Sequence, residues 1–204
     1  IMAKSSQVMR GNALWAKLFE PDTKFDANGV YSISLVLPEV DASEMCEHLD
    51  ALVEAKFDEE VKAKPALKNQ LSKNPPYSPV YDRETGDATG EIEFKFKLKA
   101  KVNTRDGRTF EQKVAVVDAK RTPMTDEIAV GNGSDVKVAF EPMPYMVAGT
   151  KMIGVSLRLK AVQVIKLVEY GSPATSVFDE EDGFVAEASA PSNTVAEVFT
   201  DGDF

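Results

Sequence analysis

Lysine dominates one face of the twelve-residue stretch Glu91–Val102, EIEFKFKLKAKV. Ile92, Phe94, Phe96, Leu98, Ala100 and Val102 alternate strictly with Glu91, Glu93, Lys95, Lys97, Lys99 and Lys101. Period-two alternation predicts a β-strand with one face in a core and the other in water. Successive lysines on the wet face then lie about 6.8 Å apart, about twice the ~3.4 Å spacing of phosphates along one DNA strand. Such a comb suits a sugar–phosphate backbone. It equally suits a solvated strand whose lysines discourage edge-to-edge pairing, so the strand alone leaves both readings open.

Holding an unpaired nucleic-acid strand requires cations along the phosphates and aromatic faces for the unstacked bases, each stacked base contributing about 1–3 kcal/mol. The candidate cations are Lys95, Lys97, Lys99 and Lys101, with Arg105 and Arg108 in the turn that follows. The candidate platforms are Tyr145, Trp15, Tyr77, Tyr81 and Phe110, while Phe94 and Phe96 fall on the core face. Enzymatic chemistry finds less support. There is no nucleophile elbow, Walker A loop or dinucleotide fingerprint. One cysteine (Cys46) and one histidine (His48) cannot make a Cys/His zinc site. Glu91, Glu93 and Asp118 are the carboxylates a Mg²⁺-dependent nuclease would use, but the first two share a face with lysines that neutralise them. Neither catalysis nor a cofactor or metal is expected.

The net charge of −9 argues against nucleic acid only until its distribution is read. No Lys or Arg follows Lys166, whereas Glu169, Asp179, Glu180, Glu181, Asp182, Glu187, Glu197, Asp201 and Asp203 all do. Residues 62–166 carry 19 basic against 12 acidic side chains. A basic body thus precedes an acidic tail, and such asymmetry says more than the overall charge. No apolar run is long enough to span a membrane, the N-terminal stretch has no signal-peptide apolar segment, and Met2, after Ile1, reads as the natural start. A lone cysteine fits a reducing compartment.

The elements that must position these residues follow from periodicity and punctuation. Gln7–Phe19 and Val30–Leu37 read as the first two strands, the second ended by Pro38. Asp41 opens a helix as its cap, with Glu44 completing a capping box; Met45, Leu49, Leu52, Val53, Phe57 and Val61 form its buried stripe, and Pro65 stops it. His48, on this helix, is expected to be an ordinary surface or boundary residue. Pro65–Gly90 is long, polar and irregular, hence either disordered or functional; its Lys68, Lys73, Arg83, Tyr77 and Tyr81, with Lys64 just before it, could wall a nucleic-acid groove. Asp106-Gly107 marks a hairpin, Thr109–Ala119 returns as a strand, and Gly131-Asn132-Gly133 reads as a turn. Asp135–Phe140 is a strand ended by Pro142 and Pro144. Lys151–Val168 is a long last strand with a bend near Gln163. From Gly171 the composition is that of a disordered segment, whose 34 residues would span about 30–35 Å as a flexible chain. The inventory of five or six strands and one helix fits a mainly β, OB-type barrel over residues 2–170 with a flexible acidic tail over 171–204; a β-sandwich is the other architecture it allows.

The chain resembles the T7-type phage single-stranded DNA-binding proteins. The resemblance rests on FKFK (Phe94–Lys97), VVD (Val116–Asp118) followed by a basic stretch and Met124, GNGSDVKVAF (Gly131–Phe140), PY (Pro144–Tyr145), VSLRLKAVQVIKLVE (Val155–Glu169) and the terminal DGDF (Asp201–Phe204). It runs from about Tyr77 to the C-terminus; the N-terminal third matches in outline through GVYSISLVLP (Gly29–Pro38) and the helix after it. The resemblance implies an OB fold and sequence-independent binding of single-stranded DNA in phage DNA replication, recombination and repair, with strand annealing and a homodimer, in the cytoplasm of an infected bacterium. It implies that Tyr145 stacks on a base and Lys97 meets the DNA backbone. It also implies that the tail, with Asp179, Glu180, Glu181, Asp182, Asp201, Asp203 and Phe204 as its anchor, recruits the phage DNA polymerase and helicase–primase and competes with DNA. The chain departs from the family in carrying Val147 where a second aromatic, tryptophan, is expected, and in a less densely acidic tail. Two rivals differ in kind: an acidic protein-interaction adaptor that never touches DNA, and the Mg²⁺-dependent nuclease.

Overall fold

The computed structural model describes residues 6–104, 106–125 and 128–169; Arg105 and the tail residues named above lie outside them. Strand β1 (Gln7–Asp22) pairs antiparallel with β2 (Val30–Pro38). Helix α1 (Glu39–Ala63) and a 3-10 turn (Pro65–Leu67) follow, then the short β3 (Ser72–Asn74) and β4 (Tyr77–Tyr81). The lysine strand is β5 (Ala88–Lys99), continued by a hairpin of β6 (Lys101–Asn103) and β7 (Thr109–Glu111). After β8 (Ala115–Val117) come the long β9 (Asp135–Val147) and β10 (Met152–Lys166). Five of these close on one another in the order β1, β2, β5, β10, β9 and back to β1. This is an OB-type barrel.

Alternation explains why the barrel closes around its own side chains. Ile33 and Leu35 on β2, Phe94 and Phe96 on β5, Val136, Val138 and Phe140 on β9, and Ile153 and Leu159 on β10 are buried almost completely. Phe96 and Phe140 meet inside with ring centroids 5.0 Å apart. Burying a phenylalanine of this kind contributes about 1.5–3 kcal/mol. Helix α1 adds Ala42, Leu49 and Val53 to the same cluster, with Met45, Leu52 and Phe57 packed at its margin. It touches β2, β5, β9 and β10, so it covers one mouth of the barrel. No helix among the described residues is long and apolar enough to cross a membrane.

The structure departs from sequence expectation at four places. The helix starts at Glu39, directly after β2, with Pro38 at the N-cap and no side-chain cap bond, so Asp41 lies inside the first turn, at the positive end of the helix dipole, instead of capping it. The lysine strand breaks at Ala100, whose N–H donates to the Gly29 carbonyl while its own carbonyl accepts from Gln112. The expected Thr109–Ala119 strand splits into β7, paired with β6, and β8, paired with β10. β9 runs through Pro142 and Pro144, because beyond Phe140 it has left β1 and pairs only with β10, leaving the other edge free of N–H obligations. The bend expected near Gln163 is present, as register shifts between Leu159 and Ala161 and between Val164 and Lys166.

Segment 65–90 is ordered by its contacts. β3 adds to β10 and β4 adds to β5. The helix holds both: Lys73 Nζ meets Glu54 at 2.5 Å and stands 4.5 Å over the Phe57 ring, and the Tyr77 hydroxyl donates to Asp50 at 2.8 Å. On the same helix His48 is exposed and within 2.6 Å of the Gln7 amide nitrogen.

The β1–β9 seam carries a titratable fastening. Arg10 donates to both Asp135 oxygens, Nε at 2.9 Å and Nη2 at 2.5 Å, and the Arg10 hydrogen bond is the main reason the Asp135 carboxyl is held below the ordinary aspartate range. A depressed folded pKa stabilises the fold above the unfolded value of about 3.9 and is lost as pH falls through the folded value. Acid unfolding followed by circular dichroism is therefore expected to be shallower in Asp135→Asn below about pH 4. Equal acid dependence in the two proteins would show that the pair adds nothing to stability.

Candidate nucleic-acid interface

The outer face of β5 presents Glu93, Lys95, Lys97 and Lys99, and its antiparallel neighbour β2 sets Val36, Ser34, Ser32 and Val30 directly beside them. The two serines keep the surface low next to Lys95 and Lys97. Three lysines of the expected comb already have carboxylates: Lys95 lies 3.7 Å from Glu93, Lys99 3.5 Å from Asp26, and Lys101 3.6 Å from Glu111. Among the described residues, Lys97 has no carboxylate within ion-pair distance. Because of the Ala100 break, Lys101 belongs to the hairpin and not to the β5 face.

Beside Lys97 the sheet forks. The edge of β5 that faces away from β2 pairs first with β4 (Tyr77 with Phe94, Pro79 with Ile92) and then in parallel with β10 (Phe96 with Leu157, Lys97 with Arg158). Upstream of that contact β10 pairs with β3 instead. The connection Asn74–Tyr77 fills the opening, leaving a groove of about 370 Å³ lined by Pro75, Pro76, Lys95, Lys97, Tyr145 and Ser156, among others.

Tyr145 owes its place to Gly154, its direct partner across β9 and β10. A Cβ at position 154 would stand 2.7 Å from the Tyr145 hydroxyl oxygen and 2.9 Å from Cζ. The phenol end of the ring thus rests on bare backbone at the groove, and only glycine leaves room for it. Tyr77 lines the same groove but is otherwise employed. Its ring packs on Phe94 at 5.7 Å between centroids, and burial, with the hydrogen bond to Asp50, pushes its hydroxyl far above the ordinary tyrosine range. It braces the wall.

The other expected site residues lie apart from this groove. Tyr81 is exposed at the far end of β4, next to the turn that begins at Asp82. Arg108 and Phe110 are exposed on the β6–β7 hairpin. Trp15 is exposed on β1, on a separate groove. The register also supplies two cations that sequence reasoning did not single out. Arg158 stands beside Lys97 across the parallel contact, and Lys17 is opposite Ser32, itself opposite Lys97. Arg158, Lys97, Ser32 and Lys17 therefore form one row across four strands. The signal for it is the pairing register, which no single segment contains. Among the described residues, no three His, Cys, Asp or Glu side chains converge as metal ligands would.

Residues 12–167 match the family model described as the single-stranded DNA-binding protein of bacteriophage T7. The chain belongs to that family. It is 30% identical over 178 residues to the single-stranded DNA-binding protein of Escherichia phage T7, an alignment covering 79% of this chain and 73% of the relative. The crystal structure of gp2.5, a single-stranded DNA-binding protein encoded by bacteriophage T7, superposes with a TM-score of 0.66 at 25% identity, covering 90% of this chain and all of that one. The single-stranded DNA-binding protein of bacteriophage Enc34, solved in complex with single-stranded DNA, shares the fold with a TM-score of 0.51 at 14% identity, covering 84% of this chain and 96% of that one.

The seat beneath Tyr145 makes a direct forecast. Gly154→Ala is expected to lift the phenol from the sheet and to lower single-stranded DNA affinity toward that of Tyr145→Ala, with the barrel still folded by circular dichroism. Wild-type affinity in Gly154→Ala would mean that the ring position at the groove is immaterial to binding.

Proposed function

We propose that this chain is a sequence-independent single-stranded DNA-binding protein of phage replication that takes up DNA at the β5–β10 fork. The observation that carries the reading is the meeting in one groove of an aromatic face, Tyr145, and a cation with no carboxylate partner among the described residues, Lys97, in a chain belonging to a single-stranded DNA-binding family. Tyr145 stacks on an unpaired base; Lys97 and its neighbour Arg158 hold the adjoining phosphates. Lys95 and Lys99 join when phosphates displace Glu93 and Asp26 from them. Lys101 and Arg108 add positive charge from the hairpin, Tyr81 adds a ring at the far end of β4 and Tyr77 keeps the groove wall in place, while Arg105 joins as a cation on the sequence alone. The protein binds and does not catalyse.

The reading of the tail rests on sequence. Nine acids and no cation follow Lys166, and charges of that sign, tethered to a basic groove, compete with DNA at an effective concentration of order millimolar. Displaced by DNA, Asp179–Asp182, Asp201, Asp203 and Phe204 become available to the phage DNA polymerase and helicase–primase. The protein works as a homodimer that promotes annealing, in the cytoplasm of the infected host.

Lys97→Ala is expected to weaken binding of a labelled oligonucleotide and to flatten the logarithmic dependence of affinity on salt by about 0.7, the share of one single-strand phosphate contact. Lys101→Ala should change the slope less. A slope unaltered by Lys97→Ala would remove that lysine from the interface. The same titration with Mg²⁺ separates the rivals: a nuclease shortens the oligonucleotide, and an adaptor leaves its mobility unchanged. Deleting Ser172–Phe204 is expected to tighten DNA binding and abolish association with the polymerase; unchanged affinity would refute competition by the tail.

A further inference from the structure

Beyond Lys17 the basic row reaches a second groove, of about 810 Å³, on the side of β1 away from β2, where Trp15, Lys17, Phe19, Lys24 and Asn132 are among the lining residues. Adjacent strands are about 4.8 Å apart, so Lys17 lies about 10 Å from Lys97 across β2. Between Lys97 and Lys17 the register places only the small side chain of Ser32.

Trp15 is held in this second groove by the backbone rather than by burial. The pairing of β1 with β2 slips between Leu14 and Lys17, and inside that bulge Trp15 has φ +52°, a left-handed conformation that large side chains seldom adopt. Its N–H donates to the Asn132 side-chain oxygen at 2.8 Å. Asn132 stands in the turn fixed by the fully buried Ser134, whose hydroxyl donates to the Gly131 carbonyl at 2.8 Å and accepts from the Val168 N–H at 2.9 Å. Yet the side chain so positioned is 59% exposed. An indole that served the core would be inside it. Here the fold sustains an unfavourable backbone geometry to keep an aromatic face in solvent, and such strain clusters at functional sites.

We infer that Trp15 is a second stacking platform for the same DNA strand, which continues from the Tyr145 groove across the barrel over Lys97 and Lys17. The inference rests on the function proposed above and deepens it. Glu20 and Asp22 also line the groove; Asp22 accepts the Lys24 N–H at 2.8 Å, and Lys17 and Lys24 balance the two charges. The groove is thus neutral in sum, and the attraction it offers is the face of the indole, which suits a base of any sequence. Lys17 holds the phosphate between the two platforms.

The chain contains one tryptophan, so intrinsic fluorescence reports on this site alone. The full chain is titrated with a long oligothymidylate, following tryptophan emission and, separately, the anisotropy of a labelled oligonucleotide. The expected result is quenching that tracks binding. Trp15→Ala should weaken binding of the long oligonucleotide about 5- to 140-fold, the share of one stacked base. It should leave a trinucleotide unaffected, and Trp15→Phe should recover most of the loss. Binding without quenching, or quenching with unchanged affinity in Trp15→Ala, overturns the second platform and leaves the Tyr145 groove standing. No binding by either signal overturns both.

Discussion

Closure of the barrel depends on a parallel contact of two residue pairs, Phe96 with Leu157 and Lys97 with Arg158. Inside, it brings Phe96 and Leu157 under the same roof as Phe140 and so completes the core. Outside, it sets two cations side by side. Its shortness matters as much as its presence. A longer ladder would seal β5 to β10 with backbone hydrogen bonds and leave no groove. Because the strands part immediately upstream, β3 and β4 take the freed edges and Asn74–Tyr77 bridges the gap. The groove is the price of a barrel whose last seam is only partly sewn.

Like charges on one strand face repel, and this chain relieves the repulsion locally. Glu93, Asp26 and Glu111 each stand against one lysine. These pairs are exposed, so each is worth at most about 1 kcal/mol, weak enough for a phosphate to replace the carboxylate. Lys97 needs no replacement step. Asp26 is further tied to its own turn, where the Asn28 N–H holds its carboxyl below the ordinary range; it stays in place when Lys99 leaves. A surface arranged this way is nearly neutral at rest and, on the function proposed above, would turn cationic when phosphates displace the carboxylates.

What the sequence disclosed was what one segment can encode alone. Period two identified the inner faces of β2, β5, β9 and β10, and period 3.6 identified the buried side of α1. FKFK and PY marked Lys97 and Tyr145, which the fold brings to one groove although 48 positions separate them. Properties that belong to two segments stayed hidden. The Ala100 break follows from the carbonyl of Gly29 and the N–H of Gln112, and the passage of β9 through two prolines depends on β1 having departed. Arg158 and Lys17 looked like ordinary strand cations until register placed them in a row with Lys97. Segment 65–90 read as irregular because β3 and β4 are three and five residues long and exist only through partners far away in the chain.

Lysines alone do not select an unpaired strand, since a duplex carries the same charge on each backbone and releases counterions more readily. Selection must come from groups that a duplex cannot satisfy. In a duplex the flat faces of the bases are already stacked on one another, so an aromatic side chain gains access only where stacking has been given up. On the function proposed above, Tyr145 on bare Gly154 would therefore do more for discrimination than any cation beside it, and less for the encounter. The two contributions also respond differently to salt: screening weakens the phosphate contacts and leaves stacking nearly untouched. The preference of this surface for single strands accordingly grows as ionic strength rises, even while its total affinity falls. On the function proposed above, a groove that combines Lys97, without a carboxylate partner among the described residues, with an aromatic seat suits that regime: the lysines would set how fast DNA arrives and the ring which DNA remains.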